Sequence, residues 1–191
     1  METLRNFFFS LLAILFFVTA NADAQRVEGI NQGLLRFQGS LAYGFLNPHR
    51  NFTFGDAEFL VTDHIGINGG SYLQQGSAKP DQLFATMSLF GPIWHFTPRQ
   101  RWDFYAGFQP GFISTDTVEL TKKTKVSRDD LNATPAGSIC GGVAWYGSFF
   151  HAFAQLRMVG ASLTNKDYHS RYSDVLIAFG LGFNIDLIRD K

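Results

Sequence analysis

The sequence predicts an all-β protein, an eight-stranded antiparallel up-and-down transmembrane β-barrel preceded by a cleavable signal peptide. Three observations predict it. Eight segments alternate apolar and polar residues with a period of two, the repeat of a strand whose faces meet different surroundings. The connections between them alternate short and long. Charged residues make up only 17% of the chain, against roughly 25% in an ordinary soluble domain, while aromatic residues reach 16%.

Residues 1–22 read as the signal, with cleavage after Ala22 or after Ala24. Arg5 lies in a short n-region, and the apolar run over residues 7–20 follows. That run is shorter than the about 20 residues that a membrane-spanning helix needs, which disfavours a retained anchor. No cysteine stands near the cut to carry a lipid. The barrel is assigned to residues 25–191, where no window of apolar residues is long enough for a transmembrane helix.

The strands are expected at 34–46, 52–61, 65–74, 82–96, 102–115, 136–146, 149–160 and 172–186. The first sets Leu35, Phe37, Leu41, Tyr43 and Phe45 against Arg36, Gln38, Ser40 and Gly44. The second carries Asp56 and Glu58 on one face, and the third is short and rich in glycine. The fourth changes parity between Leu83-Ala85-Met87-Leu89 and Trp94-Phe96, which predicts a bulge at Gly91-Pro92. The fifth opposes Trp102, Phe104 and Phe108 to Asp103, Tyr105 and Gln109. Between the sixth and seventh, Gly147-Ser148 reads as a two-residue type II′ turn that pairs Trp145 with Phe150, Val143 with Ala152 and Ile139 with Leu156. In the same way the 97–101 turn places Trp94 opposite Phe104 and Phe96 opposite Trp102. The eighth sets Val175, Ile177, Phe179, Leu181 and Phe183 against Asp174, Ala178, Gly180 and Gly182.

Short turns follow the second, fourth and sixth strands, and longer polar connections follow the others, notably 116–135 and 161–171. Trp94, Trp102 and Trp145 fall at the short-turn end, where an interfacial aromatic girdle belongs. The more polar face holds mainly Gly, Ala, Ser and Gln with isolated charges, and lysines are confined to loops. A water-facing wall would be dense in Lys and Glu, so the sparse face is expected inside and the Phe-rich face against lipid. The rival arrangement is a secreted, soluble, lipocalin-like barrel with its apolar face turned in.

Three stretches carry a family resemblance. The run Phe59-Leu60-Val61-Thr62-Asp63-His64-Ile65-Gly66-Ile67-Asn68-Gly69 resembles a turn of the outer-membrane-protein β-barrel domain family. Phe104-Tyr105-Ala106-Gly107-Phe108 and Phe179-Gly180-Leu181-Gly182-Phe183 are similar to its later strands. The resemblance implies a small closed barrel in a Gram-negative outer membrane. The chain departs from that pattern at its end, where Leu187-Ile188-Arg189-Asp190-Lys191 continues past the last aromatic residue.

Chemistry is sparse. Arg36, Asp56, Glu58, Asp103, Arg157 and Asp174 are the expected interior polar network, with Arg157 beside Asp174 and near Ser138. Such a pair is read as a salt bridge for charges removed from water, with a solute constriction as the alternative. No two of the five histidines have metal-ligand spacing with a second His or Cys. Asp167, His169 and Ser170 share one predicted outer loop, but adjacent His and Ser do not make a strand-spaced dyad, so no enzyme is expected. A lipid-modifying enzyme and a narrow solute channel are the weaker alternatives. Lys122, Lys123, Lys125 and Arg128 form an outer basic loop suited to lipopolysaccharide or a surface partner. The 16 basic and 16 acidic residues cancel, which leaves no electrostatic footprint for nucleic acid. One cysteine, Cys140, excludes a disulfide framework. No cofactor is implied. The expected role is structural or surface-interacting, with outer-membrane lipid as the surroundings and a lumen plugged by side chains.

Overall fold

The computed structural model describes residues 29–46, 50–75, 83–117, 133–147, 149–165 and 168–187. The expected signal peptide lies outside them. Eight antiparallel strands run in chain order: β1 (Leu34–Gly44), β2 (Arg50–Leu60), β3 (Ile65–Gln75), β4 (Leu83–His95), β5 (Trp102–Thr117), β6 (Ala133–Tyr146), β7 (Phe150–Asn165) and β8 (Tyr168–Asp186). Each pairs with its neighbour, and β1 pairs with β8 from Leu34↔Asp186 to Gly44↔Leu176. The sheet is a closed barrel without a free edge.

Alternation sorts the side chains as a two-residue period requires. Inward positions such as Arg36, Glu58, Tyr72, Asp103 and Arg157 are buried, while Leu41, Phe90, Phe108, Phe112 and Phe179 are exposed on the outer wall. No Asp, Glu, Lys or Arg stands at an outward position of β1–β4, β6 or β7. On β5 and β8 none does between the short turns and Ser114 and Ser173.

Several local expectations fail, and for related reasons. Across β6 and β7 the structure pairs Trp145 with Ala152, Val143 with Ala154 and Ile139 with Met158, two residues from the expected register. Gly147 N–H donates to Phe150 C=O at 2.8 Å, so the hairpin closes on the Gly147–Phe150 pair rather than on Tyr146 and Phe149, as a Gly147-Ser148 turn would require. The β4–β5 hairpin is displaced likewise, with Trp94 opposite Ala106 and Phe96 N–H donating to Phe104 C=O at 2.9 Å. A slip of two keeps every side chain on its face, so apolar matching cannot detect it. The observed β6–β7 register brings the inward rings of Tyr146 and His151 together, with centroids 5.6 Å apart.

The bulge in β4 is also absent. Leu89↔Gly111 and Ile93↔Gly107 belong to one register, and pairing with β3 runs unbroken from Ile65↔Trp94 to Leu73↔Thr86. Met87 and Leu89 point into the barrel rather than toward lipid. What lapses is the β4–β5 ladder between those two pairs. Bonded pairs on this seam fall at even numbers, so Pro92 would donate to Phe108 and Pro110 to Phe90, and proline has no N–H.

The β7–β8 ladder extends to Asn165↔Tyr168, so most of the expected 161–171 loop is hairpin. Its register sets Arg157 opposite Leu176 and Asp174 opposite Val159. The expected Arg157–Asp174 pairing is therefore overturned by the same slip of two.

Candidate functional site

The interior is the place where chemistry could reside. Near the short-turn end, β1, β2, β4 and β5 each turn one ionisable side chain inward. Arg36 Nη1 donates to Glu58 Oε2 at 2.9 Å across the β1–β2 ladder. His95 Nε2 lies 2.8 Å from Glu58 Oε1, and its Nδ1 lies 2.6 Å from Asp103 Oδ2. Carboxylates only accept hydrogen bonds, so a ring held between two of them donates from both nitrogens and carries positive charge. Arg36 and His95 then balance Glu58 and Asp103. The Thr97 N–H caps the remaining Asp103 oxygen at 3.2 Å.

A hydrogen-bond network continues from this cluster to the Asp56 carboxylate. Arg36 Nη2 donates to Gln38 Oε1 at 3.3 Å, and the Gln38 amide donates to Asp56 Oδ2 at 2.9 Å. His151 Nε2 lies 3.0 Å from the same Gln38 oxygen, and its Nδ1 lies 2.8 Å from Asn184 Oδ1. The Arg36 guanidinium also sits over the Tyr146 ring, 5.3 Å from its centroid.

Further toward the long-loop end, the filling changes. Phe52, Tyr72, Met87, Ile113 and Leu176 are fully buried and belong to one apolar cluster. Arg157 is embedded there, and no carboxylate among the described residues pairs with it: it donates to Ser138 Oγ and, at 3.4 Å, to Gln155 Oε1. Its guanidinium lies 5.2 Å from the centroid of the Tyr72 ring. Asp174 receives the Leu46 N–H at 3.1 Å and the Tyr172 hydroxyl at 3.5 Å. The lumen thus contains far more apolar bulk than small residues with sparse charges would supply.

The inward glycines account for that difference. A Cβ at Gly182 would overlap the His151 ring and the Phe37 carbonyl oxygen, and one at Gly66 would overlap the Glu58 carboxylate. Each missing side chain is the space that a large neighbour occupies. Gly182→Ala is therefore expected to destabilise the barrel by about 1–3 kcal/mol through overpacking. Urea titration in detergent or lipid would measure it.

Of the residues singled out in the sequence, Arg36, Glu58 and Asp103 meet in one cluster, with Asp56 joined through Gln38. Arg157 and Asp174 lie apart from it and from each other. His95, His151, Tyr146 and Asn184 were not singled out. His95 and His151 share inward parity with the buried Asp103 and Gln155, and that parity, not metal-ligand spacing, is their signal in the sequence. Trp94, Trp102 and Trp145 are exposed on the outer wall near the short turns, with Trp102 paired to Trp145. Lys122, Lys123, Lys125 and Arg128 lie outside the described residues, as does Asp167. Among the described residues, no group of three or more His, Cys, Asp or Glu could hold a metal ion.

No protein-family model matches the chain, and no curated protein sequence does. Solved structures do match. The outer membrane protein OprG of Pseudomonas aeruginosa superposes with a TM-score of 0.60 at 10% identity, covering 83% of this chain and 99% of that one. The N-terminal β-barrel domain of Pseudomonas aeruginosa OprF gives 0.54 at 14% identity, covering 81% and 98%. A de novo designed transmembrane β-barrel gives 0.52 at 12% identity, covering 82% and 99%. The chain has the fold of small eight-stranded outer-membrane barrels. Since a designed sequence shares it, that fold carries no particular role.

Proposed function

We propose that this chain, an eight-stranded barrel of the outer-membrane kind, is a non-enzymatic integral membrane protein with a sealed lumen and a structural or surface-interaction role. One observation carries the reading: an uncharged, aromatic outer wall surrounds an interior filled by buried side chains. The wall supports lipid as its surroundings, because a soluble barrel would place charge there. The filled interior supports a plug rather than a channel, since eight strands leave room for little besides side chains. In the usual orientation of such barrels, the short turns face the periplasm and the long connections face outward. Contacts with lipopolysaccharide or a surface partner then fall to the outer connections, with Lys122, Lys123, Lys125 and Arg128 supplying positive charge.

The test is reconstitution. The purified protein is expected to need detergent, to migrate faster unheated than boiled on a gel, and to give no regular conductance steps in a planar bilayer. Solubility without detergent would overturn the membrane reading. Steady single-channel steps would replace the plug with a pore.

A further inference from the structure

Residues 29–33, just before β1, do not trail away from the barrel. They turn across its short-turn mouth. Leu34 N–H donates to Asn31 C=O at 3.2 Å, and Gly33 N–H donates to Leu60 C=O at 2.8 Å. Gln32 N–H donates to Asp63 Oδ1 in the β2–β3 turn at 2.8 Å, and Asn31 Nδ2 donates to Asp186 Oδ2 at the end of β8 at 3.2 Å. Arg99 N–H, in the β4–β5 turn, donates to Ile30 C=O at 3.0 Å. In a barrel of eight strands, β1 and β5 stand on opposite sides, so this segment spans the opening.

Its fit is close. Ile30 is fully buried, as are Leu34 and Leu60, and all three belong to the apolar cluster. Gly29 has φ +92°, and a Cβ there would lie 2.5 Å from Gln100 O and 2.6 Å from Gln100 N. Arg99, itself at φ 59°, is tied to Asp63 by an ion pair of 2.8 Å. Arg36 and Glu58 come two residues after Leu34 and two before Leu60 on the same inward face. The ion cluster therefore lies one step deeper than this apolar floor.

We propose that residues 29–33 form a lid over the short-turn mouth: Ile30, with Leu34 and Leu60, keeps water from the Arg36–Glu58–His95–Asp103 cluster, and displacing the lid admits water that far while the barrel stays closed. This rests on the sealed-lumen reading above and specifies what seals one end. A charge-balanced cluster in a low-dielectric interior depends on such shielding, because water that reaches it competes for every polar contact.

Ala144 is fully buried on the inner face and pairs with Asp103, so a cysteine there reports on the cluster. The test uses Ala144→Cys with Cys140→Ala, reconstituted in vesicles and treated with a small charged methanethiosulfonate. Gly29→Val, whose side chain would overlap the Gln100 backbone and so push the lid off the β4–β5 turn, is expected to speed labelling by about tenfold or more, as local opening without global unfolding does. Gln32→Ala is expected to leave the rate unchanged, because Gln32 holds the lid through its backbone N–H. Heat-dependent gel migration checks that each barrel is folded, and Ile30→Gly replaces Gly29→Val if the latter does not fold. Equal rates in lid variant and parent, or a parent labelled as fast as the urea-unfolded chain, would overturn the lid. Ion conductance by the parent would instead overturn the sealed lumen, so the two failures are distinct.

Discussion

Replacing Arg36 with Met is expected to lower the stability of the folded barrel by about 3–5 kcal/mol, the cost of leaving a buried charge without its partner. Arg36 and Glu58 are each almost wholly buried and 2.9 Å apart, and the Glu58 carboxylate also holds His95. Removing the guanidinium leaves two carboxylates facing one imidazolium. The double variant Arg36→Met, Glu58→Met removes one charge of each sign and leaves His95 with Asp103. It is expected to recover most of the loss, because desolvating an ion pair nearly cancels its attraction. Equilibrium urea unfolding of the two single variants and the double one in lipid vesicles gives the coupling directly. A single variant as stable as the parent would show that the cluster is solvated after all.

Leu181→Arg is expected to cost about 2–4 kcal/mol in a bilayer, the penalty for a guanidinium near the midplane of a barrel's lipid face. Leu181 is 70% exposed, and β8 continues five residues beyond it to its short-turn end at Asp186. Gln75→Arg, at the opposite rim of β3, is expected to cost about 0–1 kcal/mol. On a water-facing wall both changes would stay within about 0.5 kcal/mol. The contrast between the two positions, measured in the same vesicles, therefore tests the surroundings of the wall. Equal and small effects would favour the soluble barrel.

The parts of this fold that were legible in the sequence are those encoded by neighbours along one strand. Leu35, Phe37 and Leu41 against Arg36, Gln38 and Ser40 already separate wall from lumen, since a period of two needs no partner to be read. Partner choice was less legible. Hairpin spacing sets Arg157 beside Asp174 and Trp145 beside Phe150, whereas the observed pairs are Arg157↔Leu176 and Trp145↔Ala152, a slip of two that preserves parity. Met87 and Leu89 misled for a different reason. Apolar character points to lipid, yet a narrow barrel also needs apolar bulk inside, and Met87 and Leu89 supply it. The lid over the mouth had no signature at all, because Gly29 and Ile30 precede the first alternating segment and their partners lie in turns distant in the chain.

The matching of inward glycines to large neighbours also bears on how such a sequence can change. His151 and Gly182 are two halves of one volume, as are Glu58 and Gly66. Enlarging one half is harmful until the other shrinks, so tolerated changes are expected to come as compensating pairs across adjacent strands. Many different fillings then satisfy the same closed wall. A lineage can exchange them pair by pair until little sequence likeness survives, while the course of the backbone stays as it was.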